Sequence, residues 1–156
     1  DWGISLGPDD AYTALRGLRS LKTRMDAHEA AGLRIANWLS ERPEVCQVLH
    51  PALEQHPDHV IWKRDFTGSN GLFSVILNTV SPEGLKRFFD ALELFSMGFS
   101  WGGFESLIIP CDPQLKRSKG HWIDQKVGPL LRIHVGLETV DDLIADLRAG
   151  FEAMGE

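Results

Sequence analysis

The strongest chemical signal in the sequence is an arginine inside an apolar run near the end of the chain. Residues 130–135 predict a β-strand on which Arg132 and His134 share one face. A guanidinium in such a run must meet an anion, because an unpaired buried charge is costly. Its planar fork suits a carboxylate bound through two hydrogen bonds. Spacing alone leaves two interpretations equally open: Arg132 binds a ligand carboxylate, or it forms a structural ion pair with Glu105 or Glu138.

A second candidate binding feature is the bend Ser100-Trp101-Gly102-Gly103. A serine hydroxyl or a main-chain N–H at a bend can hold the second oxygen of a carboxylate, and an indole offers one donor and a flat apolar wall. Taken alone, the segment favours the alternative, a strand end followed by a core tryptophan. Together with Arg132, it predicts a socket for a small carboxylate.

Other polar clusters carry weaker signals. His50, His56, Asp58 and His59 are close in sequence, but their spacing matches no known zinc pattern, so we predict a solvated loop and no metal site. His28 lies in an apolar helical stripe, which favours a core histidine over a ligand. The sequence contains no nucleophile elbow, phosphate loop, dinucleotide fingerprint or H-E-x-x-H motif.

Composition is that of one soluble globular domain. The chain has 156 residues, of which 43% are hydrophobic and 24% charged. A net charge of -6 argues against nucleic acid or an anionic membrane as the main partner. No apolar run approaches the length of a membrane span. Two distant cysteines, Cys46 and Cys111, predict no disulfide framework and a cytoplasmic location, with Cys46 buried.

The periodicity of apolar residues predicts a mixed or antiparallel sheet with helices on one face, an α+β fold built as an α/β layer. Predicted helices cover 8–18, 20–41, 81–92 and 139–154, with one or two helical turns in 59–66. Predicted strands cover 45–49, 71–78, 94–99, 107–109 and 130–135. Gly17 is an expected weak point within the first helix, and Ser81 is the expected cap of the third.

Motifs in register along nearly the whole chain resemble one enzyme family. They include ALRGLRSL at 14–21, Arg24-Met25 with His28, HPAL at 50–53, WKRDFTGSNGLFS at 62–74, ESL at 105–107, RIHVGLE at 132–138 and DDLIADL at 141–147. These stretches resemble the carboxy-terminal region of the pyridoxal-phosphate enzymes of cysteine and methionine metabolism. Within that family, Trp101 and the WKRDFTG stretch resemble the cystathionine β-lyase branch. The γ-lyases and γ-synthases are the alternative members.

The resemblance implies a division of the chain and a role for the socket. Residues 44–156 would be the small carboxy-terminal domain of a fold-type-I enzyme, and 1–43 a helical segment that links it to an upstream cofactor-binding domain. Arg132 would grip the substrate α-carboxylate, with Ser100 and Trp101 completing the pocket. Residues 111–126 depart most from the family pattern, so the resemblance assigns them no role.

The resemblance also implies the chemistry of the longer protein. The family uses pyridoxal phosphate to cleave cystathionine to homocysteine, pyruvate and ammonia, and it is usually tetrameric. Its cofactor-binding lysine is expected upstream of Asp1, so this chain would hold no catalytic residue and would be inert alone. The start at Asp1, without a methionine, looks like a cut chain. The alternative from another class is a stand-alone amino-acid-binding or oligomerisation module.

Overall fold

The computed structural model describes residues 5–115 and 127–155. Its helices and strands run in the order α1 (Pro8–Ser40), β1 (Val45–Leu49), α2 (His59–Asp65), β2 (Leu72–Leu77), α3 (Pro82–Asp90), β3 (Ser96–Met97), β4 (Leu107–Pro110), a 3-10 turn (Asp112–Gln114), β5 (Leu130–His134) and α4 (Val140–Gly155). The predicted cap is confirmed: the Ser81 hydroxyl accepts the Gly84 N–H at 3.0 Å.

The strands form one mixed sheet in the order β1-β2-β5-β4-β3. All neighbouring pairs are antiparallel except β3 and β4, which are parallel. The predicted α+β class with a mixed sheet is therefore confirmed. Strand β5 lies at the centre, and Arg132 pairs with Ser74 on one side and Ile109 on the other.

The hydrophobic core lies between one face of this sheet and helices α1, α3 and α4. Its buried members include Phe73, Val75, Leu77, Leu131 and Ile133 from the sheet and Ile35, Leu39, Phe88, Leu143, Leu147 and Phe151 from the helices. Because side chains alternate along a strand, Arg132 and His134 are directed to the opposite face from Leu131 and Ile133. The core thus fixes the strand that carries the candidate site.

The two helices predicted at 8–18 and 20–41 are one continuous helix, so the expected division between residues 18 and 20 is wrong. A glycine within an exposed helix costs about 1 kcal/mol relative to alanine. The Gly17 carbonyl, however, accepts hydrogen bonds from Arg24 Nη2 at 2.8 Å and Ser20 Oγ at 3.2 Å, which support the turn. Residues such as Ile35 and Leu39 on the later half of α1 enter the core. The proposed boundary between 43 and 44 stays a prediction.

Strand β3 is shorter than the predicted 94–99, and it starts later because a side chain takes the backbone donors before Ser96. The buried carboxylate of Asp146 accepts the N–H groups of Glu93, Leu94 and Phe95 at 2.7, 3.0 and 2.9 Å. These donors cannot also join a strand ladder. Only Ser96–Met97 pairs with β4.

Cys46 is exposed, contrary to the expected burial, because the register of β1 against β2 shifts between Val45 and Gln47 and leaves Cys46 at the irregularity.

Although α1 has 33 residues, none of the helices described is apolar over enough of its length to cross a bilayer.

Candidate functional site

Arg132 ties strand β5 to the segment between β3 and β4. Its Nη2 atom donates to three consecutive main-chain carbonyls, those of Gly98, Phe99 and Ser100, at 3.1, 2.9 and 3.1 Å. The structure thus brings Arg132 and Ser100, both predicted site residues, into contact. Arg132 contacts the main-chain carbonyl of Ser100 and not its hydroxyl, so the arginine helps to fix the backbone of the bend.

The expected alternative, an ion pair of Arg132 with Glu105 or Glu138, is not formed within residues 5–115 and 127–155. The Glu138 carboxylate instead accepts the main-chain N–H and the hydroxyl of Ser106 at 2.7 and 2.8 Å. The Ser106 hydroxyl in turn accepts the Gly136 N–H at 2.8 Å. The positive charge of Arg132 therefore has no neutralising carboxylate in the described part of the chain.

The hydrogen bonding of the Arg132 guanidinium is also incomplete. Its Nε atom is shielded from solvent and has no acceptor among the described residues. A buried donor without a partner costs about 1–3 kcal/mol, more when the group is charged. An anion that met the Nε edge of Arg132 would remove this cost.

Trp101 is 62% exposed, which contradicts the alternative interpretation as a core tryptophan. Its neighbour Gly102 has a φ of +81°, a left-handed conformation that glycine adopts without steric strain. The turn at Gly102 therefore places the indole of Trp101 at the surface. Trp101 lines a cavity of about 250 Å³ together with Met25, Leu72 and His134.

His134 is a site residue that the sequence reasoning did not select. Its Nε2 lies 3.1 Å from the Gly102 nitrogen and 3.2 Å from the Gly103 carbonyl oxygen. Burial lowers the pKa of His134 from its usual value near 6.5, the Gly103 carbonyl opposes that effect, and His28 adds to it. The sequence did hold one signal for His134 as a site residue: on the predicted strand it shares a face with Arg132.

His28 is buried at 3% exposure, which confirms the predicted core histidine, and it also lines the cavity beside Trp101. Its Nδ1 donates to the Val135 carbonyl at 2.8 Å, since a carbonyl only accepts. Its Nε2 is buried and has no partner among the described residues. The rings of His28 and His134 are 5.4 Å apart between centroids.

Contacts from β5 and the turn after it secure the segment 98–106 along its length. Arg132 bonds to the carbonyls of 98–100, and His134 meets the backbone of 102 and 103. The Leu137 N–H donates to the Phe104 carbonyl at 2.9 Å, and Glu138 holds Ser106. The predicted residues Ser100 and Trp101 are therefore positioned by a strand more than thirty residues later in the chain.

The other polar clusters support the backbone. The Nδ1 atoms of His50 and His56 accept the N–H groups of Ala52 and Asp58, and His59 Nδ1 donates to a carbonyl. Burial lowers the pKa of His50. No group of three metal-binding side chains occurs in the part of the chain that the structure describes. The described lysines, Lys22, Lys63 and Lys86, are exposed on helices, and none of them lines the cavity beside Trp101.

Comparison with known proteins places this arrangement in a family. The model of the family Cys/Met metabolism PLP-dependent enzyme matches residues 1–152. The cystathionine beta-lyases of Salmonella typhimurium and Escherichia coli are 50% and 49% identical over 96% of this chain, which spans 38% of each relative's length. A cystathionine gamma synthase from Xanthomonas oryzae, crystallised with aminoacrylate and cysteine, superposes with a TM-score of 0.85 at 32% identity, over 98% of this chain and 40% of that one. The chain belongs to the Cys/Met metabolism PLP-dependent enzyme family.

Proposed function

We propose that this chain is the substrate-carboxylate-binding part of a pyridoxal-phosphate-dependent cystathionine β-lyase. The supporting observation is the coincidence of two facts. Three bacterial cystathionine β-lyases are 45–50% identical to this chain over 96% of its length. The bend that carries Ser100 and Trp101 is organised by Arg132, whose charge is not neutralised among the described residues.

Arg132 binds and orients the substrate in this proposal. Its Nη2 keeps the bend in place, and its Nε, which is shielded from solvent and has no acceptor among the described residues, would donate to one oxygen of the α-carboxylate when the substrate reaches that edge. A donor from Ser100 or from the indole of Trp101 takes the other oxygen. Fixing the carboxylate fixes the direction of the α C–H bond, and correct orientation of a reacting bond supplies a large part of enzymatic rate enhancement.

The described residues fit the amino-acid end of the substrate and do not fit the cofactor. Lys22 and Lys86 pair with nearby carboxylates on exposed helices, and Lys63 is exposed on α2. In this family, pyridoxal phosphate acts as the electron sink that stabilises the carbanion at the substrate α-carbon. We therefore propose that the cofactor is held by the part of the protein that this chain does not span. By itself the chain is expected to be inert.

The test is product analysis with the full-length protein. Incubation with cystathionine should release pyruvate, and removal of pyridoxal phosphate should abolish the release. Cleavage on the γ side instead yields 2-oxobutanoate. A protein that produced 2-oxobutanoate without pyruvate would be a γ-lyase. Enzymes that act on the γ side remain the alternative, because a cystathionine gamma synthase has a similar structure.

The full-length protein is also proposed to be a homotetramer, with the helical segment 1–43 joining this part to the cofactor-binding domain. Exposed apolar side chains on the first half of α1 support a contact there: Tyr12, Leu15 and Leu18 are 61%, 46% and 64% exposed. Light scattering of the full-length protein tests the tetramer. A monomer that kept full lyase activity would contradict it.

A further inference from the structure

The main-chain N–H of Gly102 is directed at the edge of the His134 ring. The Gly102 nitrogen lies 3.1 Å from Nε2 and 3.5 Å from Nδ1. The Gly103 carbonyl oxygen lies 3.2 Å from Nε2. His134 therefore contacts the bend on either side of the Gly102–Gly103 peptide, through the N–H of Gly102, which has a positive φ, and the carbonyl of Gly103.

The protonation state of His134 decides whether both contacts are favourable. A neutral imidazole has one N–H and one lone pair. With Nδ1 protonated, the Nε2 lone pair accepts the Gly102 N–H at 3.1 Å; with Nε2 protonated, Nε2 donates to the Gly103 carbonyl and Nδ1, at 3.5 Å, is the acceptor that faces Gly102. An imidazolium has two N–H groups and no acceptor. It could still donate to the Gly103 carbonyl, but it would face the Gly102 N–H with a second donor. The observed conformation of the bend therefore favours the neutral form of the His134 ring.

The surroundings of His134 favour that neutral form. Burial is the largest influence and lowers its pKa, and the nearby positive or ionisable groups His28 on α1 and Arg132 on β5 act in the same direction. Glu138 and the Gly103 carbonyl act in the opposite direction. Arg24 of α1 lines the same cavity.

We infer that His134 is a positioning residue for substrate binding: its neutral ring holds the Trp101–Gly103 bend through the Gly102 N–H, and its protonation releases the bend. The inference rests on the proposed function, because the bend is taken to bind the substrate α-carboxylate. KM should therefore rise as the pH falls (the acid-side rise), whereas kcat should change much less.

The experiment measures KM and kcat of the full-length holoenzyme for cystathionine from about pH 5.5 to pH 8, the range in which histidine titrates. Calorimetry of L-alanine binding over the same range gives a second readout, since alanine carries the α-carboxylate but no β leaving group. In the wild type, KM and the alanine Kd should both rise as pH falls below about 6.5. The matched variant is His134→Gln, whose amide can accept from Gly102 and donate to Gly103 but does not titrate.

Near pH 8, His134→Gln should have a lower KM than His134→Ala, because its amide restores the contact with Gly102, and it should lose most of the acid-side rise in KM and Kd. His134→Ala should raise KM about five- to tenfold already at pH 8, as expected for the loss of one hydrogen bond. His28→Gln should retain the acid-side rise, shifted to higher pH, because His28 opposes protonation of His134. His59→Gln changes a half-buried histidine on α2 that does not line the cavity beside Trp101, so its KM should depend on pH as in the wild type.

An acid-side rise in KM that persists unchanged in His134→Gln overturns the inference while leaving the lyase function intact. A wild type that neither binds alanine nor releases pyruvate near pH 8 overturns the proposed function itself. The two failures are therefore distinguishable in one set of measurements.

Discussion

The Nη2 atom of Arg132 lies 2.9 Å from the main-chain carbonyl oxygen of Phe99, and the same atom also donates to the carbonyls of Gly98 and Ser100. One guanidinium nitrogen thus organises three successive peptide groups immediately before Trp101. The residue that we propose to bind substrate is also the residue that shapes its own pocket. Replacing it should affect both binding and local structure.

Arg132→Leu should lower kcat/KM of the full-length enzyme about 100-fold or more, mainly through KM, because charged hydrogen bonds contribute about 1.5–3 kcal/mol each and several are lost together. Arg132→Lys keeps the charge but not the planar fork, so it should recover only part of the loss. Steady-state kinetics with cystathionine checks both variants. A lysine variant with wild-type KM would show that the fork geometry is unimportant.

Glu138→Ala should destabilise the bend by leaving the N–H and hydroxyl of Ser106 without their acceptor. Ser106 is fully buried, so we expect a loss of about 1.5–3 kcal/mol in the free energy of unfolding. Ser106→Ala should cost less when Glu138 is already absent. A double-mutant cycle by urea denaturation measures that coupling, and strictly additive effects would contradict it.

Gly136→Ala should be poorly tolerated because a Cβ at this position would lie 2.2 Å from the Phe104 carbonyl oxygen. Backbone must shift to relieve such a contact, which moves the segment that follows Trp101. We expect a lower Tm and a raised KM together. Gly155→Ala is the matched control, because a Cβ there meets no atom within 4 Å. Equal effects of the two substitutions would contradict the close approach at Gly136.

Asp146→Ala should reduce stability by about 3 kcal/mol, because a buried carboxylate that accepts three N–H groups is lost and those donors remain without a partner. Asp26→Ala is the control. Asp26 pairs with Lys22 at an exposed position, where an ion pair contributes about 0.2–1 kcal/mol. Thermal denaturation of the full-length protein compares them, and a similar small effect for both would refute the role of Asp146.

Stability should fall in mild acid because burial holds the pKa values of His50 and His134 below 6.5 in the folded protein. Their unfolded forms bind protons more readily, so their contribution is fully present above about pH 6.5 and is lost as pH falls below it. His50→Gln should flatten that part of the profile of unfolding free energy against pH. An unchanged slope in this variant would show that His50 does not contribute.

Local signals were sufficient for most elements and for part of the site. The apolar alternation around Arg132 correctly predicted β5, and Ser81-Pro82 correctly predicted the start of α3. The motifs in register led to the family that the comparisons show. Each of these features depends on neighbours within a few residues or on a long run of matching sequence.

Features that depend on distant contacts were not predictable. The role of His134 requires Gly102, 32 residues earlier, and the shortening of β3 requires Asp146, more than 50 residues later. The exposure of Cys46 follows from a shift in strand pairing, which a local apolar pattern does not reveal. The hydrogen bond from Arg24 to the Gly17 carbonyl, seven residues earlier in α1, was likewise not signalled by the local sequence.

The most direct test of the central claim compares ligands that differ only at the carboxylate. The full-length holoenzyme should bind L-alanine at least about tenfold more tightly than L-alaninamide, a difference of about 1.4 kcal/mol. In Arg132→Leu that preference should disappear, with the affinity for the amide little changed. If Arg132→Leu kept the full preference for the carboxylate, Arg132 would not be the group that binds it, and the assignment of this site would be wrong.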